Sequence, residues 1–169
     1  GRGVTLCYER FGDPEDTPIL LIMGLATQMI AWHEDFCERL ADRGFHIVRF
    51  DNRDIGRSTH FDFSPPSVLQ LTRRRFGPEQ YSLSDMAEDS AVLLRKLDLA
   101  PAHVVGASMG GMIGQVLAAE HPEVVRSLTS IMSTTGSRRH GQPAPIVLRH
   151  LLTPPPRDRE GYIERSARI

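Results

Sequence analysis

Short apolar segments alternate along the chain with segments of helical periodicity. VTLCYE at 4–9 alternates apolar and polar positions, and ILLIM at 19–23 is an apolar run between Pro18 and Gly24. Similar runs follow in FHIVRF, HVVGA and SLTSIM. Runs of this length, rich in β-branched residues and bounded by turn-forming residues, predict five strands.

Three segments between these strands carry apolar residues at the spacing of an amphipathic helix. The first, 31–43, ends before Gly44, and the third, GMIGQVLAAEH, ends before Pro122. The second, YSLSDMAEDSAVLLRKLDL, begins with Ser82 and Asp85 at the spacing of a capping box. The apolar faces predicted for the first two helices consist of Ile30, Phe36, Leu40 and Ala41, and of Leu83, Met86, Leu93, Leu94 and Leu97.

Strands that alternate with helices predict the α/β fold class: a mostly parallel sheet with helices on both faces and one antiparallel strand at its start. Ligands of such folds bind at the carboxyl ends of the strands, which here are the loops 24–30, 51–60 and 106–110 and the residues from 133 onward. The stretch 57–80 is longer than ordinary connections, which predicts a lid, a rim or a disordered excursion.

Length and charge limit the classes of partner. The 169 residues suffice for one domain with a hydrophobic core, and 20 basic against 21 acidic residues give a net charge of −1. This balance disfavours nucleic acid and anionic membranes as partners. No apolar run approaches the ~20 residues that span a bilayer, and no leader is evident. We therefore expect a soluble protein of the cytoplasm that binds a small neutral or amphiphilic molecule.

The two cysteines, Cys7 and Cys37, have neither the spacing of a disulfide framework nor that of a metal site. Free cysteines are commonly buried, so we expect inert thiols. The sequence implies no metal and no organic cofactor.

One motif carries chemistry. Gly106, Ser108 and Gly110 form G-x-S-x-G between an apolar strand and a helical pattern, which is the strand-to-helix turn that lifts a nucleophilic serine above a sheet. Glycines suit this turn because strand and helix pass close together. The alternative is a tight turn whose serine only caps the helix. A nucleotide site is disfavoured because neither G-x-G-x-x-G nor G-K-[ST] is present.

A nucleophilic serine also needs hydrogen-bond donors for the oxyanion that forms on its substrate. The backbone N–H of Met109, at the start of the helix, is one candidate, and the N–H of Leu25, after ILLIMG, is the other. Gly24 would let that loop approach closely, although a plain strand-ending turn explains Gly24 and Leu25 equally well.

Four segments together resemble the amino-terminal half of α/β-hydrolase fold enzymes: LIMGLATQMIAW, GFHIVRFDNRDIGRST, DMAEDSAVLLRKLDL and AHVVGASMGGMIGQVLAAEHPEVVRSLT. The resemblance covers about residues 4–135. It is greatest to esterases with Met-Gly in place of the commoner His-Gly oxyanion motif, such as anthracycline methyl esterases. These motifs are specific for the fold but not for a substrate.

The resemblance implies that Ser108 is the nucleophile and that Leu25 and Met109 are the oxyanion donors. Asp51, Arg53, Gly56 and Ser58 match a loop that braces the site, with Asp51 in a structural role. The usual pattern of this loop is D-x-R-G-x-G-x-S; Asp54 replaces its first glycine, as in the Met-Gly branch.

A catalytic base is harder to find. The fold's chain order is Ser, acid, His, so both partners should follow Ser108. His121 lies 13 residues along the helix, about 20 Å away at helical rise, and His103 lies about 16 Å back along the strand. Glu120 and Glu123 lie near the same distant helix end as His121. His140 and His150 follow without a preceding carboxylate on the correct edge, and His33 and His60 precede Ser108.

We therefore expect the histidine and the acid to lie beyond Ile169, and the 169 residues alone to be a fragment that is inactive. Residues 137–169 hold five prolines, seven arginines and three acids, and APIVLRHLL at 144–152 resembles the start of a helical cap. This predicts two parts: 1–136 as the amino-terminal part of the hydrolase core, and 137–169 as the start of a cap or lid region.

The function that follows is hydrolysis of a small-molecule carboxylic ester through an acyl-serine intermediate. An acyltransferase or a perhydrolase on the same fold, and a non-catalytic binding module, stay open as alternatives. Dehalogenases and epoxide hydrolases are disfavoured, since those relatives carry aspartate at the position of Ser108. An acyl pocket lined by Met29, Trp32, Met109 and Met112 is conceivable, although such spacing is more typical of plain core.

Overall fold

Five strands form one sheet in the computed structural model of the chain. The model describes residues 3–62, 77, 80–137, 141, 144, 146–147, 153, 156 and 158–167. The strands are Tyr8–Phe11 (β1), Thr17–Ile22 (β2), Phe45–Phe50 (β3), Ala102–Ala107 (β4) and Val125–Ile131 (β5). Their order is β1-β3-β2-β4-β5; β1 runs antiparallel to β3 and the other pairs are parallel. The predicted fold class is therefore confirmed.

The first strand begins later than the alternation predicts. Residues 4–7 lie outside β1, because their carbonyls bond to the loop after β3: Asp51 N–H donates to Cys7 O at 2.9 Å and Thr59 N–H donates to Thr5 O at 2.9 Å. Cys7 is half-buried and Cys37 fully buried, and burial raises the pKa of the Cys37 thiol.

Four helices are described. They are Glu34–Ala41 (α1), Leu83–Lys96 (α2), Met109–Glu120 (α3) and Arg159–Ala167 (α4), with 3-10 turns at Met29–Ala31 and Pro122–Val124. No described helix has both the length and the apolar character to cross a membrane. Helix α4 was not predicted, and it lies in the arginine-rich tail.

The face predicted for α1 is partly wrong. Ile30 is 58% exposed because it belongs to the 3-10 turn, where the spacing of an α-helix does not apply. Phe36 is also exposed, and Cys37 is the residue that α1 buries against the sheet. The helix ends at Ala41 with Asp42 as its C-cap, earlier than the predicted end at Arg43, and Gly44 follows with a φ of +79°.

The capping box predicted at the start of α2 is confirmed. Ser82 Oγ accepts a hydrogen bond from Asp85 N–H, and the Asp85 carboxylate accepts one from Ser82 N–H at 2.9 Å. Met86, Leu93 and Leu94 of the predicted stripe are buried, while Leu83 and Leu97 are partly buried against the same core.

Side chains of each central strand alternate between two cores, one on each face of the sheet. Leu20 and Ile22 of β2 pack with α2 and α3, whereas Ile19 and Leu21 pack on the opposite face with Cys37 of α1. Because β2, β3, β4 and β5 are parallel, their carboxyl ends lie along one edge of the sheet.

The chain divides into two units, 1–135 and 136–169. In the second, Asp158 directly precedes α4, and its carboxylate accepts a hydrogen bond from Gly161 N–H at 2.7 Å. Most of the predicted excursion at 57–80 lies outside the described residues, and so does most of 144–152. The interpretation of 137–169 as the start of a cap stays a prediction.

Candidate functional site

Ser108 lies directly between β4 and α3, in a backbone conformation that L-residues rarely adopt. Its φ is +54° and its ψ is −119°, which costs on the order of 1–3 kcal/mol and persists only where the surroundings enforce it. Two backbone contacts do so: Ser108 N–H donates to Ile131 O at 2.8 Å, and Gly111 N–H donates to Ser108 O at 3.0 Å. The Ser108 side chain is exposed and makes no capping hydrogen bond, so the alternative of a helix-capping serine is wrong.

Glycines make this turn sterically possible. A Cβ at Gly110 would lie 2.1 Å from Ile22 O, and one at Gly106 would lie 2.3 Å from Gly110 O. These contacts are with backbone atoms, which cannot rotate away. A Cβ at Gly24 would lie 3.1 Å from Ser108 Cβ, so the chain leaving β2 passes directly against the serine. All three predicted glycines therefore lie in the packing around Ser108.

Two amide donors occur in this turn and in the adjacent loop. Among residues 3–62 and 80–137, neither the N–H of Leu25 nor the N–H of Met109 is bonded to a protein acceptor. Leu25 follows Gly24 and is 63% exposed, while Met109 follows Ser108 and is half-buried. Unpaired N–H groups beside an exposed hydroxyl can accommodate a developing negative charge.

Asp51, at the end of β3, is a hydrogen-bond hub for the surrounding loops. It is 4% exposed; one carboxylate oxygen accepts from Met29 N–H at 2.8 Å and the other from Arg57 N–H at 3.1 Å. Ser58 Oγ donates to Asp51 O at 2.6 Å, and a Cβ at Gly56 would lie 2.0 Å from the carboxylate. These contacts match the structural role expected for Asp51.

Arg53, in the loop that follows β3, connects this loop to α2. Its Nε donates to the Asp89 carboxylate at 2.7 Å, and its guanidinium carbon lies 4.9 Å from the Tyr81 ring centroid. Burial raises the pKa of Tyr81 well above its ordinary value, and a hydrogen bond with Asp54 raises it further. Asp54, which replaces the first glycine of the expected pattern, has a φ of +64°.

No described histidine contacts Ser108. His103 Nδ1 is 2.6 Å from Ser127 Oγ, and His121 Nε2 is 3.0 Å from the Glu88 carboxylate. His60 Nε2 is 3.1 Å from Gly56 O, and His33 precedes α1. His46, which no sequence pattern singled out, is 1% exposed and has no hydrogen-bond partner for either ring nitrogen. His140 and His150 lie outside the described residues.

Two residues near Ser108 escaped the sequence analysis. Asn52, which is 2% exposed, donates from Nδ2 to Met23 O at 2.9 Å. Met132 directly follows Ile131, the last residue of β5, whose carbonyl accepts the Ser108 N–H at 2.8 Å. Met132 is 83% exposed. No local pattern distinguishes either residue, because each acquires its position through a contact distant in sequence.

The residues considered for an acyl pocket separate into two groups. Met29 and Trp32 are buried in the core, at 5% and 9% exposure, which fits the interpretation as plain core. Met109 and Met112, on α3, are half-buried.

Comparisons with known proteins agree with this architecture. A family model of the alpha/beta hydrolase fold matches residues 17–168. Rhodomycin D methylesterase DauP of Streptomyces sp. (strain C5) is 38% identical over 129 residues, which are 76% of this chain and 39% of that protein. The chain thus spans about two fifths of the length of this curated relative.

Solved structures give the same picture. A hydrolase from Pseudomonas aeruginosa PA01 superposes with a TM-score of 0.65 at 27% identity, over 87% of this chain and 46% of that one. A marine microorganism esterase superposes with a TM-score of 0.71 over 98% of this chain and 59% of that one. Its identity of 22% supports similarity of fold alone.

Proposed function

This chain belongs to the α/β hydrolase fold family, as its motifs predicted, and from that premise we propose that the protein hydrolyses carboxylic esters through an acyl intermediate on Ser108. Ester hydrolysis in general is supported by its esterase relatives. The observation that carries the assignment to Ser108 is its exposed hydroxyl in a strained turn, with the unpaired N–H groups of Leu25 and Met109 nearby.

The proposed reaction has two steps. Ser108 Oγ attacks the carbonyl carbon of the ester, and its proton passes to a histidine. The carbonyl oxygen gains negative charge and accepts hydrogen bonds from Leu25 and Met109 N–H. The carbon–oxygen bond to the alcohol then breaks, and the alcohol leaves with the proton. Water cleaves the acyl-serine in the same manner, which releases the carboxylic acid and restores the Ser108 hydroxyl.

The base in this mechanism comes from outside the described residues. The described histidines bond elsewhere, precede α1 or lie buried without a partner, and none contacts Ser108. We infer that a histidine and an orienting acid join Ser108 in the intact protein, and that the 169 residues alone do not turn over an ester efficiently. In complete triad enzymes the oxyanion donors and binding alone leave only a residual 10³ to 10⁴-fold effect.

The substrate is proposed to be a small-molecule ester. A relative named as a rhodomycin D methylesterase makes methyl esters a reasonable first class to assay, together with short acyl esters. We also propose that residues 137–169 begin a cap region. The separate unit at 136–169, with its helix α4, supports this division.

A fluorophosphonate probe tests the nucleophile. In the intact protein that contains this chain, we expect labelling of the wild type and loss of labelling in Ser108→Ala. Ser127→Ala is the matched control, because Ser127 Oγ lies 2.6 Å from a histidine nitrogen but on a different part of the sheet. This control should label like the wild type.

Hydrolysis of p-nitrophenyl butyrate provides the second measurement. Ser108→Ala should lower kcat by at least about 10⁴-fold, because the covalent step is lost. Equal labelling of wild type and Ser108→Ala, or unchanged hydrolysis by Ser108→Ala, would refute the proposal. Accumulation of a product acylated on an alcohol or peroxide in place of the free acid would point to the transferase or perhydrolase alternative.

A further inference from the structure

A side chain outside the glycine motif fixes the path of the loop after β2. Asn52 is 2% exposed, and its Nδ2 donates a hydrogen bond to Met23 O at 2.9 Å. Met23 precedes Gly24, where the chain passes directly against Ser108. The contact with Asn52 therefore holds the peptide bond that joins Met23 to Gly24. Asn52 itself is buried while Met23 is half-buried, so removal of the bond would leave the Met23 carbonyl without the donor that fixes its direction.

The neighbouring side chain holds the other end of the same loop. Asp51 accepts from Met29 N–H at 2.8 Å, in a contact that is buried. Two consecutive residues at the end of β3 thus hold both ends of the segment 23–29. Since β3 lies beside β2 in the sheet, a rigid element sets the position of the loop.

The segment between these contacts needs such restraint. Ala26 has a φ of +52°, which is uncommon for a residue other than glycine. Leu25 is 63% exposed and so has little packing of its own to hold it. A segment of this kind keeps one conformation only where its ends are fixed.

Met23 O is also close to the turn that follows β4. A Cβ at Gly110 would lie 2.8 Å from Met23 O, so this carbonyl passes beside the start of α3, where Met109 lies. Asn52 therefore bonds to a carbonyl that lies two residues before Leu25 in the sequence and close to Gly110 of α3 in space. A rotation of the Met23–Gly24 peptide would therefore turn Leu25 N–H relative to Met109 N–H.

We infer that Asn52 is a positioning residue for the reaction: by holding Met23 O it aims Leu25 N–H at the oxygen that becomes negative when Ser108 attacks. This inference rests on the function proposed above. Loss of this positioning should affect kcat more than KM, because a misaligned donor destabilises the charged transition state more than it weakens binding of the uncharged ester.

The test compares two substitutions in the intact protein, Asn52→Ala and Asn52→Ser. Both remove the amide donor to Met23 O, and Ser keeps a hydroxyl in part of the space of the amide. If one variant does not fold, the other still provides the test. With p-nitrophenyl butyrate we expect kcat to fall about tenfold while KM stays within about twofold, as for loss of an interaction made only in the transition state.

Inhibition by phenylboronic acid provides a second measurement, because a purely structural role of Asn52 would leave the inhibition constant unchanged. The boronic acid forms a tetrahedral adduct with an active serine, and its negatively charged oxygen would need the same donors. We expect its inhibition constant to rise by about the same factor by which kcat falls. Ser90→Ala is the control: it removes a buried hydroxyl that bonds to Met86 O at 3.1 Å within α2, and it should leave kcat and boronate affinity unchanged.

The outcomes separate this inference from the proposed function. If Ser108→Ala abolishes hydrolysis while a folded Asn52 variant keeps wild-type kcat and boronate affinity, the positioning role is wrong and the nucleophile stands. If kcat and KM change together in the Asn52 variants and in Ser90→Ala alike, the effect is general destabilisation and the inference fails. If Ser108→Ala retains activity, the proposed function fails first.

Discussion

Ser108 shows how neighbouring residues can enforce an unfavourable backbone conformation. Its positive φ would relax in an isolated peptide, yet hydrogen bonds to β5 and to the first turn of α3 hold it. Gly106 and Gly110 allow strand and helix to approach to distances that no side chain would permit. The cost of the strain is thus offset by contacts that form only when the sheet is assembled.

A second single residue, Met132, leads to a prediction about which acyl groups the protein prefers. It directly follows Ile131, whose carbonyl accepts the Ser108 N–H, and it is 83% exposed, so we expect its side chain to be available to the acyl part of an ester. Met132→Gln keeps the length of the side chain and removes its apolar character. We expect kcat/KM for p-nitrophenyl hexanoate to fall about fivefold relative to the acetate, which corresponds to about one buried methylene.

Met132→Leu serves as the control for this prediction, because it keeps an apolar side chain of similar volume. It should preserve the preference for the longer ester, and neither variant should change the melting temperature, since the side chain packs against little. A chain-length profile that is identical in the wild type and Met132→Gln would show that Met132 does not contact the acyl group.

At the scale of single elements, α2 provides the sharpest case. Both hydrogen bonds of its capping box are present, between Ser82 and Asp85. Ser82→Ala removes the side-chain acceptor for Asp85 N–H and should lower the free energy of unfolding by about 1 kcal/mol. Urea denaturation of the intact protein measures this change, provided that the slope of the transition stays constant.

Ser84→Ala is a matched control in the same helix turn. Its hydroxyl bonds to the exposed Glu120 carboxylate at 2.8 Å and caps nothing, so we expect a change within about 0.5 kcal/mol. Equal losses in the two variants would mean that the capping contact contributes nothing beyond an exposed hydrogen bond.

Helix α1 shows the limit of periodicity for short elements. The pattern indicated a helix over 31–43, but the chain forms a 3-10 turn at Met29–Ala31 and starts the α-helix at Glu34. The bond from Met29 N–H to Asp51 holds that turn. Because this acceptor is 22 residues away in sequence, the boundary was not visible in the local pattern.

At the scale of the whole molecule, the edge of the sheet that β5 forms leads to a prediction about self-association. In the described part of the chain β5 pairs only with β4, and most residues of β5 are exposed. An unpaired strand edge can pair with a second chain. We therefore expect the isolated 169-residue chain to self-associate, which size-exclusion chromatography over a range of concentrations would detect.

A lysine on this strand should reduce the association. Thr129 is exposed on β5, and Thr129→Lys places a charge on the edge. Ala119→Lys adds the same charge on the exposed surface of α3 and should have little effect. A monodisperse wild-type chain, or equal rescue by both lysines, would contradict association through the β5 edge.

The sequence by itself determined the existence of the five strands, of helices α2 and α3 and of the tight turn at Ser108, because these depend on local spacing and on the steric freedom of glycine. It missed α4 and set the start of β1 and the bounds of α1 incorrectly. It also predicted the fold class, since alternating strands and helices leave few ways to cover a parallel sheet. Gly24, Gly106 and Gly110 pack around Ser108 as their lack of a side chain allows, whereas the role of Ser108 as nucleophile stays a prediction.

Only the tertiary structure decided which distant groups meet. Asn52 reaches Met23 across 29 residues, and the pairing of β4 with β5 brings the Ile131 carbonyl, just before Met132, to the Ser108 N–H. Neither contact produces a periodic pattern in the sequence, since each depends on how the strands are ordered and aligned in the sheet. Local spacing specifies which residues share a face of one element, whereas pairing between elements depends on the free energy of the assembled sheet.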